Sequence, residues 1–598
     1  MDHSTQLTAR PTEYESAYDP PPPGTSLQVA AARVLNGNWT GRSTVPSRNL
    51  YPHQWSWDSA FIAIGLRHLS PLRAQTELET LLTAQWADGR VPHIVFNPSV
   101  PLDAYFPSPD FWRSITAGHT AGAPRTVQTS GIVQPPVHAL AAWLVHRADP
   151  GLSRARGFLA RVYPRLAAWH RYLLHRRDLG GAGLVSVVHP WEQGMDNSPC
   201  WDAPLARVTP APARSFRRAD LDHGAPEDRP TDLDYGRYVR LAADYRDAEY
   251  ADGGGEFAVE DPAFNALLIA SEHALARIAE ELGAAGTARH ARAERLTAAL
   301  VERLWDPAAG MFLCRDLRAA TRGGSPVRAG DGSGDGRGPA PQAHSSGTAL
   351  EAHSSGTALE AHSGTALEAH ACGPAPESHD LGPAQERRRS GQAPERRGPG
   401  PAPERRGSGP VPQWPSPDPA HGQGTPDPAH GPGAFGLIRE RSVSGLVPLV
   451  LPGLPRETAA ALVRTLCGPH FGLGDRTRLV PSYDLLGEAF EPHRYWRGPA
   501  WFNTSWLLER GLRAHGERER ADALRAAVLH LAEATGFAEY VDPGTGEACG
   551  ATGFGWTAAL ALDLHHELHQ DLLKGAREGV SKAATGTFDT SDEGGDRG

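Results

Sequence analysis

The chain has 598 residues, ~a fifth of them Pro or Gly, and a formal net charge of -10 at pH 7. Modest negative charge, with acidic and basic residues interspersed, argues against nucleic acid as a partner. No apolar run approaches the ~20 residues that cross a bilayer, and no segment joins a basic start to an apolar core. No membrane partner is therefore expected, and a cytoplasmic location is the default. Five scattered cysteines, never spaced as CxxC, support neither a disulfide framework nor a thiolate metal site.

In chain order, residues 1–25 end in DPPPPG and read as a flexible leader, since consecutive prolines neither start a helix nor join a sheet interior. From 26 to 320, apolar residues recur three and four apart in SPLRAQTELETLLTAQW, QPPVHALAAWLVHRA, ARGFLARVYPRLAAWHRYLLHR, DPAFNALLIASEHALARIAEEL and ARHARAERLTAALVERLW, so amphipathic helices are predicted. Asp261 before Pro262 is a good N-cap followed by a first-turn proline. Residues 321–433 collapse to Gly, Pro, Ser, Ala, Arg, His and Glu, with AHSSGTALE repeated in tandem from Ala343 and APERRG at Ala393 and Ala402. So little apolar surface cannot offset the entropy of ordering, and a disordered insertion is expected. Helical periodicity returns in 434–570 with PRETAAALVRTL, WFNTSWLLERGLRAHG, RERADALRAAVLHLAEAT and GWTAALALDLHHELHQDL, and 571–598 read as a disordered tail. The chain is mostly α, in two halves around one insertion.

Between the helices lie loops crowded with Trp, Tyr, Asp, Glu, Gln and Asn, about one per helix pair, among them HPWEQGMDNSPCWD. Helical hairpins closed into a ring would gather such loops at one end. Aromatic faces beside carboxyl and amide groups suit a sugar, whose C–H faces stack and whose hydroxyls pair. Hydrolysing a glycosidic bond needs one carboxylic acid to protonate the leaving oxygen and a second carboxylate to activate water or attack. Asp196 and Glu539, one in each half, are the leading pair. Asp196 alone is weak, because Asp beside Asn, Ser and Pro more often forms a cap or turn; Trp191 and Trp201 add weight, since apolar walls raise a carboxyl pKa. Glu547 competes with Glu539, and spacing leaves the two open. Asp58 is a third candidate, although its place opening DSAFIAIGL also suits an N-cap. Glu192 and Asp202 read as supporting residues. Arg497 would pair with a catalytic carboxylate or bind a charged aglycone. No HExxH or similar histidine cluster and no phosphate-binding glycine loop in a strand-to-helix setting is found, so no metal or cofactor is expected.

NLYPHQWSWDSAF, TSGIVQPPVHA, HPWEQGMDNSP, YWRGPAWFNTSW and EYVDPGTGEACGATGFGWTAAL resemble the α-toroid glycosidases of glycoside hydrolase family 63, in particular the short bacterial members that hydrolyse mannosylglycerate or glucosylglycerate. The trehalases of family 37 look related. The resemblance covers residues 26–320 and 434–570. It implies an all-α (α/α)6 barrel, an inverting mechanism and a small α-glucoside or α-mannoside as substrate. It puts the general acid at Asp196 and the general base at Glu539, turns Glu547 into a loop or sugar-contacting residue, and lines the pocket with Tyr51, Trp55, Trp57, Asp58, Gln134, Trp191, Arg497, Trp501 and Asn503. Substrates of trehalase or glycogen-debranching type are the alternatives within enzymes; a sugar-binding toroid without catalysis or an epimerase are those outside hydrolysis. The sequence leaves the oligomeric state open.

Overall fold

The computed structural model describes residues 26–222, 226–319 and 436–585; the expected leader and the whole of the expected insertion lie outside them. The first half begins with seven long helices: α1 (Leu27–Gly37), α2 (Ser56–Leu66), α3 (Pro71–Thr83), α4 (His138–Ala148), α5 (Phe158–Arg176), α6 (Asp232–Asp247) and α7 (Pro262–Glu281). Then follow α8 (Thr287–Leu304), two short 3-10 turns (Val443–Gly445 and Val447–Val450), α9 (Arg456–Cys467), α10 (Phe502–Ala514), α11 (Arg518–Ala534) and α12 (Gly555–Thr585).

These elements close a ring. α2 packs on α4, α4 on α7, α7 on the 3-10 turns, the turns on α10, α10 on α12, and α12 back on α2. An outer layer of α3, α5, α8, α11 and α1 lies against this inner one, and α9 packs on the strand Met311–Phe312. The result is an (α/α)6 barrel in which one inner position is filled by 3-10 turns. Burial follows the layering. Every residue of α2 is buried, which is why its sequence shows no helical periodicity: a helix covered all round has no polar face. The outer α5 keeps one apolar stripe, Phe158, Leu159, Val162, Leu166, Trp169 and Leu173, and is legible as amphipathic. Inner helices also approach closely. A Cβ on Gly65 would lie 2.3 Å from the carbonyl oxygen of Ala559, so glycine sets the α2–α12 crossing.

Short strands pin the loops at the N-terminal ends of the inner helices. Gln54–Trp55 pairs with Ile94–Val95 before α2, Ser186–Val187 and Arg315–Asp316 flank Val259–Glu260 before α7, and Tyr540–Val541 joins Ala500–Trp501 to Ala548–Cys549 before α12. Asp261 caps α7 as expected, accepting from the Phe264 N–H at 2.8 Å. Asp58 is not a cap: α2 begins at Ser56 with Trp55 at the cap position, which places Asp58 in the first turn. The last helix runs to Thr585, past the boundary expected at 570.

The chain leaves and re-enters this unit at adjacent points. Asp316 N–H donates to Gly436 O at 2.7 Å and Ile438 N–H to Cys314 O at 2.8 Å, with Arg315 bridged antiparallel to Leu437. A hairpin turn spans such a gap. Replacing residues 320–435 by a short glycine-containing turn is therefore expected to leave the circular dichroism spectrum and melting temperature within about 3 °C of the full chain, a shift equivalent to about 1 kcal/mol or less; loss of cooperative melting would show that those residues belong to the barrel.

Candidate active site

The N-terminal ends of the inner helices converge on two adjoining hollows. The inner one is walled by Tyr51, Trp55, Trp57, Asp58, His93, Gln134, Trp191, Gly194, Asp196, Tyr495, Glu539, Phe554 and Trp556. The outer one shares Tyr51, Trp191, Asp196 and Tyr495 and adds Phe106, Asp220, Arg229, Tyr235 and Tyr238. Tyr105 belongs to both.

Local sequence explains each placement. The helical turn Pro190–Gln193 is capped by His189, whose Nδ1 accepts from Trp191 N–H at 3.0 Å. Gly194 ends it at φ 82°, the left-handed region, where an added Cβ would meet the Trp57 ring at 2.6 Å. The chain can therefore turn Asp196 into the hollow. Trp191 stands beside it, parallel to His93 at an interplanar angle of 9° and tilted over His189. Across the hollow, Glu539 N–H donates to Ala551 O at 2.7 Å. The Glu539 carboxylate accepts from Tyr51 O–H at 3.0 Å and from Ala551 N–H at 3.1 Å. Gln134 turns its carbonyl to the Trp57 N–H at 3.1 Å.

The electrostatics separate the three carboxyls. Burial pushes Asp196 up to about 7; its own backbone N–H and Arg229 oppose the shift, and Glu539 adds to it. A rise from 3.8 to about 7 corresponds to roughly 4 kcal/mol against its charge, so Asp196 holds its proton through weakly acidic pH. Asp58 lies well above the ordinary carboxyl range, first by burial, then by the charges of Glu539 and Asp196. Glu539 is also raised by burial, but Arg229, Ala551 N–H and Tyr51 O–H all favour its ionised form. It is the carboxyl of the three best supplied with donors. His53 and His93, each lowered to about 3 by burial, are neutral.

Several expected residues fall elsewhere. Arg497 holds Asp202 in a two-pronged ion pair, 3.0 and 2.6 Å, and donates to Asn197 O at 3.4 Å, so it staples the loop after Asp196 and meets neither candidate carboxyl. Trp501 and Asn503 are completely buried: Trp501 stacks on Trp496 at 3.8 Å, and the Asn503 carbonyl accepts from Thr504 N–H. Glu547 is exposed on the hairpin between Tyr540–Val541 and Ala548–Cys549, with its backbone N–H on Thr545 Oγ1; a solvated turn, not the hollow, holds its side chain. Asp202 is half exposed, in keeping with a supporting role.

Arg229 was not legible. It precedes Pro230 and Thr231, whose hydroxyl caps α6, and DRPTD reads as an ordinary helix start. In the fold its guanidinium is buried, donates to Tyr51 O–H at 3.3 Å and lies over the Tyr495 ring at 4.9 Å. No carboxylate among the described residues is within ion-pair distance of it. Tyr105, Tyr235, Tyr238, Tyr495 and His93 were missed as well; only the clustering of aromatics in loops could have signalled them. Among the described residues no group of three or more His, Cys, Asp or Glu could hold a metal ion, and no helix is long and apolar enough to cross a membrane.

The family model described as the mannosylglycerate hydrolase MGH1-like glycoside hydrolase domain matches residues 51–337 and 433–557. Mannosylglycerate hydrolase of Rubrobacter radiotolerans is 34% identical over 90% of this chain and 96% of its own length. Glucosylglycerate hydrolase of Mycolicibacterium hassiacum is 32% identical over 91% and 99%. Among solved structures, the family 63 mannosylglycerate hydrolase of Thermus thermophilus in complex with Tris and D-glycerate is similar with a TM-score of 0.64 at 31% identity, covering 90% of this chain and 99% of that one. Fold, hollow and these relatives agree: the chain is a glycoside hydrolase and belongs to the mannosylglycerate hydrolase MGH1-like family.

Proposed function

We propose that this enzyme hydrolyses an α-mannoside or α-glucoside of a small carboxylate-bearing aglycone of the glycerate kind, with inversion. The observation that carries the reading is Arg229: a buried guanidinium that meets no carboxylate at ion-pair distance among the described residues and faces the outer hollow beside Asp196. Burying such a charge is costly unless an anion meets it, and a substrate carboxylate would supply one. The names of the relatives, mannosylglycerate hydrolase and glucosylglycerate hydrolase, support the same class. The inner hollow, with Trp55, Trp57, Trp191 and Gln134, then takes the hexose, and the outer one the aglycone.

In this reading Asp196 gives its proton to the glycosidic oxygen as the bond to the anomeric carbon breaks. A water on the opposite face attacks that carbon, and its proton passes to Glu539. Asp58, in the first turn of α2 and raised by burial, hydrogen-bonds a sugar hydroxyl. Tyr51 ties Glu539 to Arg229 and so joins the base to the aglycone site. Four free cysteines among the described residues fit a reducing compartment, and we place the enzyme in the cytoplasm.

Proton NMR of the freshly released hexose from mannosylglycerate and glucosylglycerate is expected to show the β anomer first; the α anomer would exclude inversion. Asp196→Asn and Glu539→Gln are expected to lose about 10²- to 10⁴-fold in kcat while remaining folded, and an Asp196→Asn enzyme near wild-type rate would contradict the assignment.

The pH dependence follows from the two shifts. The acid must be protonated and Asp196 titrates at about 7, so activity falls as pH rises through about 7. The base must be ionised and Glu539 is raised from 4.5, so activity falls as pH drops at a point above that value. A rate profile flat to pH 9 would be inconsistent with Asp196 as the acid.

Arg229→Met is expected to raise KM for the glycerate glycosides about 10- to 100-fold, as loss of a charged hydrogen bond implies, and to cost the uncharged glyceryl glycosides far less. Equal losses on both would remove the carboxylate from the proposal.

A further inference from the structure

The segment that carries Asp196 is bolted from behind by a carboxylate that no step of the reaction uses. Glu192 is completely buried and accepts four hydrogen bonds. Arg177 Nη1 reaches Oε2 at 2.7 Å and Nη2 reaches Oε1 at 2.8 Å. Val188 N–H donates to Oε2 at 2.8 Å and Val133 N–H to Oε1 at 3.3 Å. Each donor belongs to a different piece of the site's frame. Arg177 ends α5; Val188 leads into the Trp191 turn; Val133 precedes Gln134, which holds the start of α2.

Arg177 is itself fixed, with no exposed surface: its Nε donates to Asp252 Oδ1 at 2.7 Å and Nη2 to Tyr245 O–H at 3.2 Å. Two further ties run onward from Glu192 to Asp196. Gln193 Oε1 accepts from Met195 N–H at 2.9 Å, and Trp201 Nε1–H donates to Met195 O at 2.8 Å. Thus the residues on both sides of the Gly194 turn are held, and the side chain of Asp196, which has no hydrogen-bond partner among the described residues besides its own backbone N–H, takes its position from them.

We propose that Glu192, gripped by Arg177, is the positioning residue for Asp196, setting where the proton donor stands and how dry its surroundings are. The inference rests on the reading of Asp196 as the proton donor. A single two-pronged pair with two backbone donors fixes both the distance and the rotation of the segment, which one hydrogen bond cannot do. Loosening it would let the 190–197 segment shift and admit water round Asp196, whose other charged neighbours, Glu539, Asp58 and Arg229, come from other segments and would stay in place.

Two variants separate this role from plain stability. Glu192→Gln keeps the shape but turns one acceptor into a donor facing Arg177 or a backbone N–H. Arg177→Lys keeps the charge and loses the fork. For Glu192→Gln the expected result is a 10- to 100-fold fall in kcat, a KM changed less than threefold, and a basic limb of the rate profile moved to lower pH. Arg177→Lys moves both in the same direction by less, and carries the test should Glu192→Gln not accumulate as folded protein. A folded variant, judged by near-ultraviolet circular dichroism, that keeps kcat within twofold and its basic limb in place would overturn the proposal, whatever its melting temperature. Asp196→Asn, assayed alongside, keeps the two readings apart: activity retained there removes the proton donor itself, whereas activity lost there and retained in Glu192→Gln and Arg177→Lys removes only the positioning role.

Discussion

Three carboxyl groups, Asp58, Asp196 and Glu539, face one hollow, and burial works against the ionised form of each. Burial is the largest cause for each; the charge of Glu539 adds to the rise of Asp196 and Asp58, and that of Asp196 to the rise of Asp58. What divides them is the supply of donors: Glu539 has a phenol, a backbone N–H and the field of Arg229, while Asp196 has its own backbone N–H and the field of Arg229, and Asp58 its own backbone N–H. In the proposed reading, one carboxyl is thus made ready to accept a proton and another to give one. The rest of the structure serves to hold that inequality in place.

A ring of helices is a suitable holder because it turns sequence distance into proximity. Asp196 and Glu539 are 343 residues apart in the chain (539 − 196), yet both lie in connections that lead into inner helices, Asp196 before α7 and Glu539 before α12, and both line the same hollow. The loops are stiffened by short strands, by the Asp261 cap with Gln193 and Ser444 upon it, and by the Trp496–Trp501–Tyr540 stack beneath Glu539. Aromatic packing of this kind costs little entropy to maintain, so the mouth keeps its shape without needing its loops to be short.

Most of the barrel could be read from periodicity, because outer helices have a wet and a dry face. α2, expected from Asp58 onward as DSAFIAIGL, carries no such periodicity because it is dry all round, and α6 escaped the reading because its first turns are dominated by Asp and Gly. At the site, the crowded segment His189–Asp202 announced itself: two tryptophans and several acids between helices have no ordinary use. Residue type did not show which way a side chain turns. Arg497 and Arg229 look alike on paper, yet Asp202 pairs with the first, while among the described residues the second meets the Tyr51 hydroxyl and the Tyr495 ring and no carboxylate at ion-pair distance. Trp501 and Asn503 look like pocket residues and are packed behind it. Glu547 and Glu539 lie on neighbouring strand ends, and only the pairing of Tyr540 with Cys549 turns one inward and leaves the other on a turn.

The unequal sharing of protons can be seen directly. A neutron crystal structure of the deuterated enzyme at pH 6 should show a deuteron on an Asp196 oxygen and none on Glu539, with Tyr51 O–D directed at the bare carboxylate. A deuteron on Glu539 and an ionised Asp196 would contradict the account at its root.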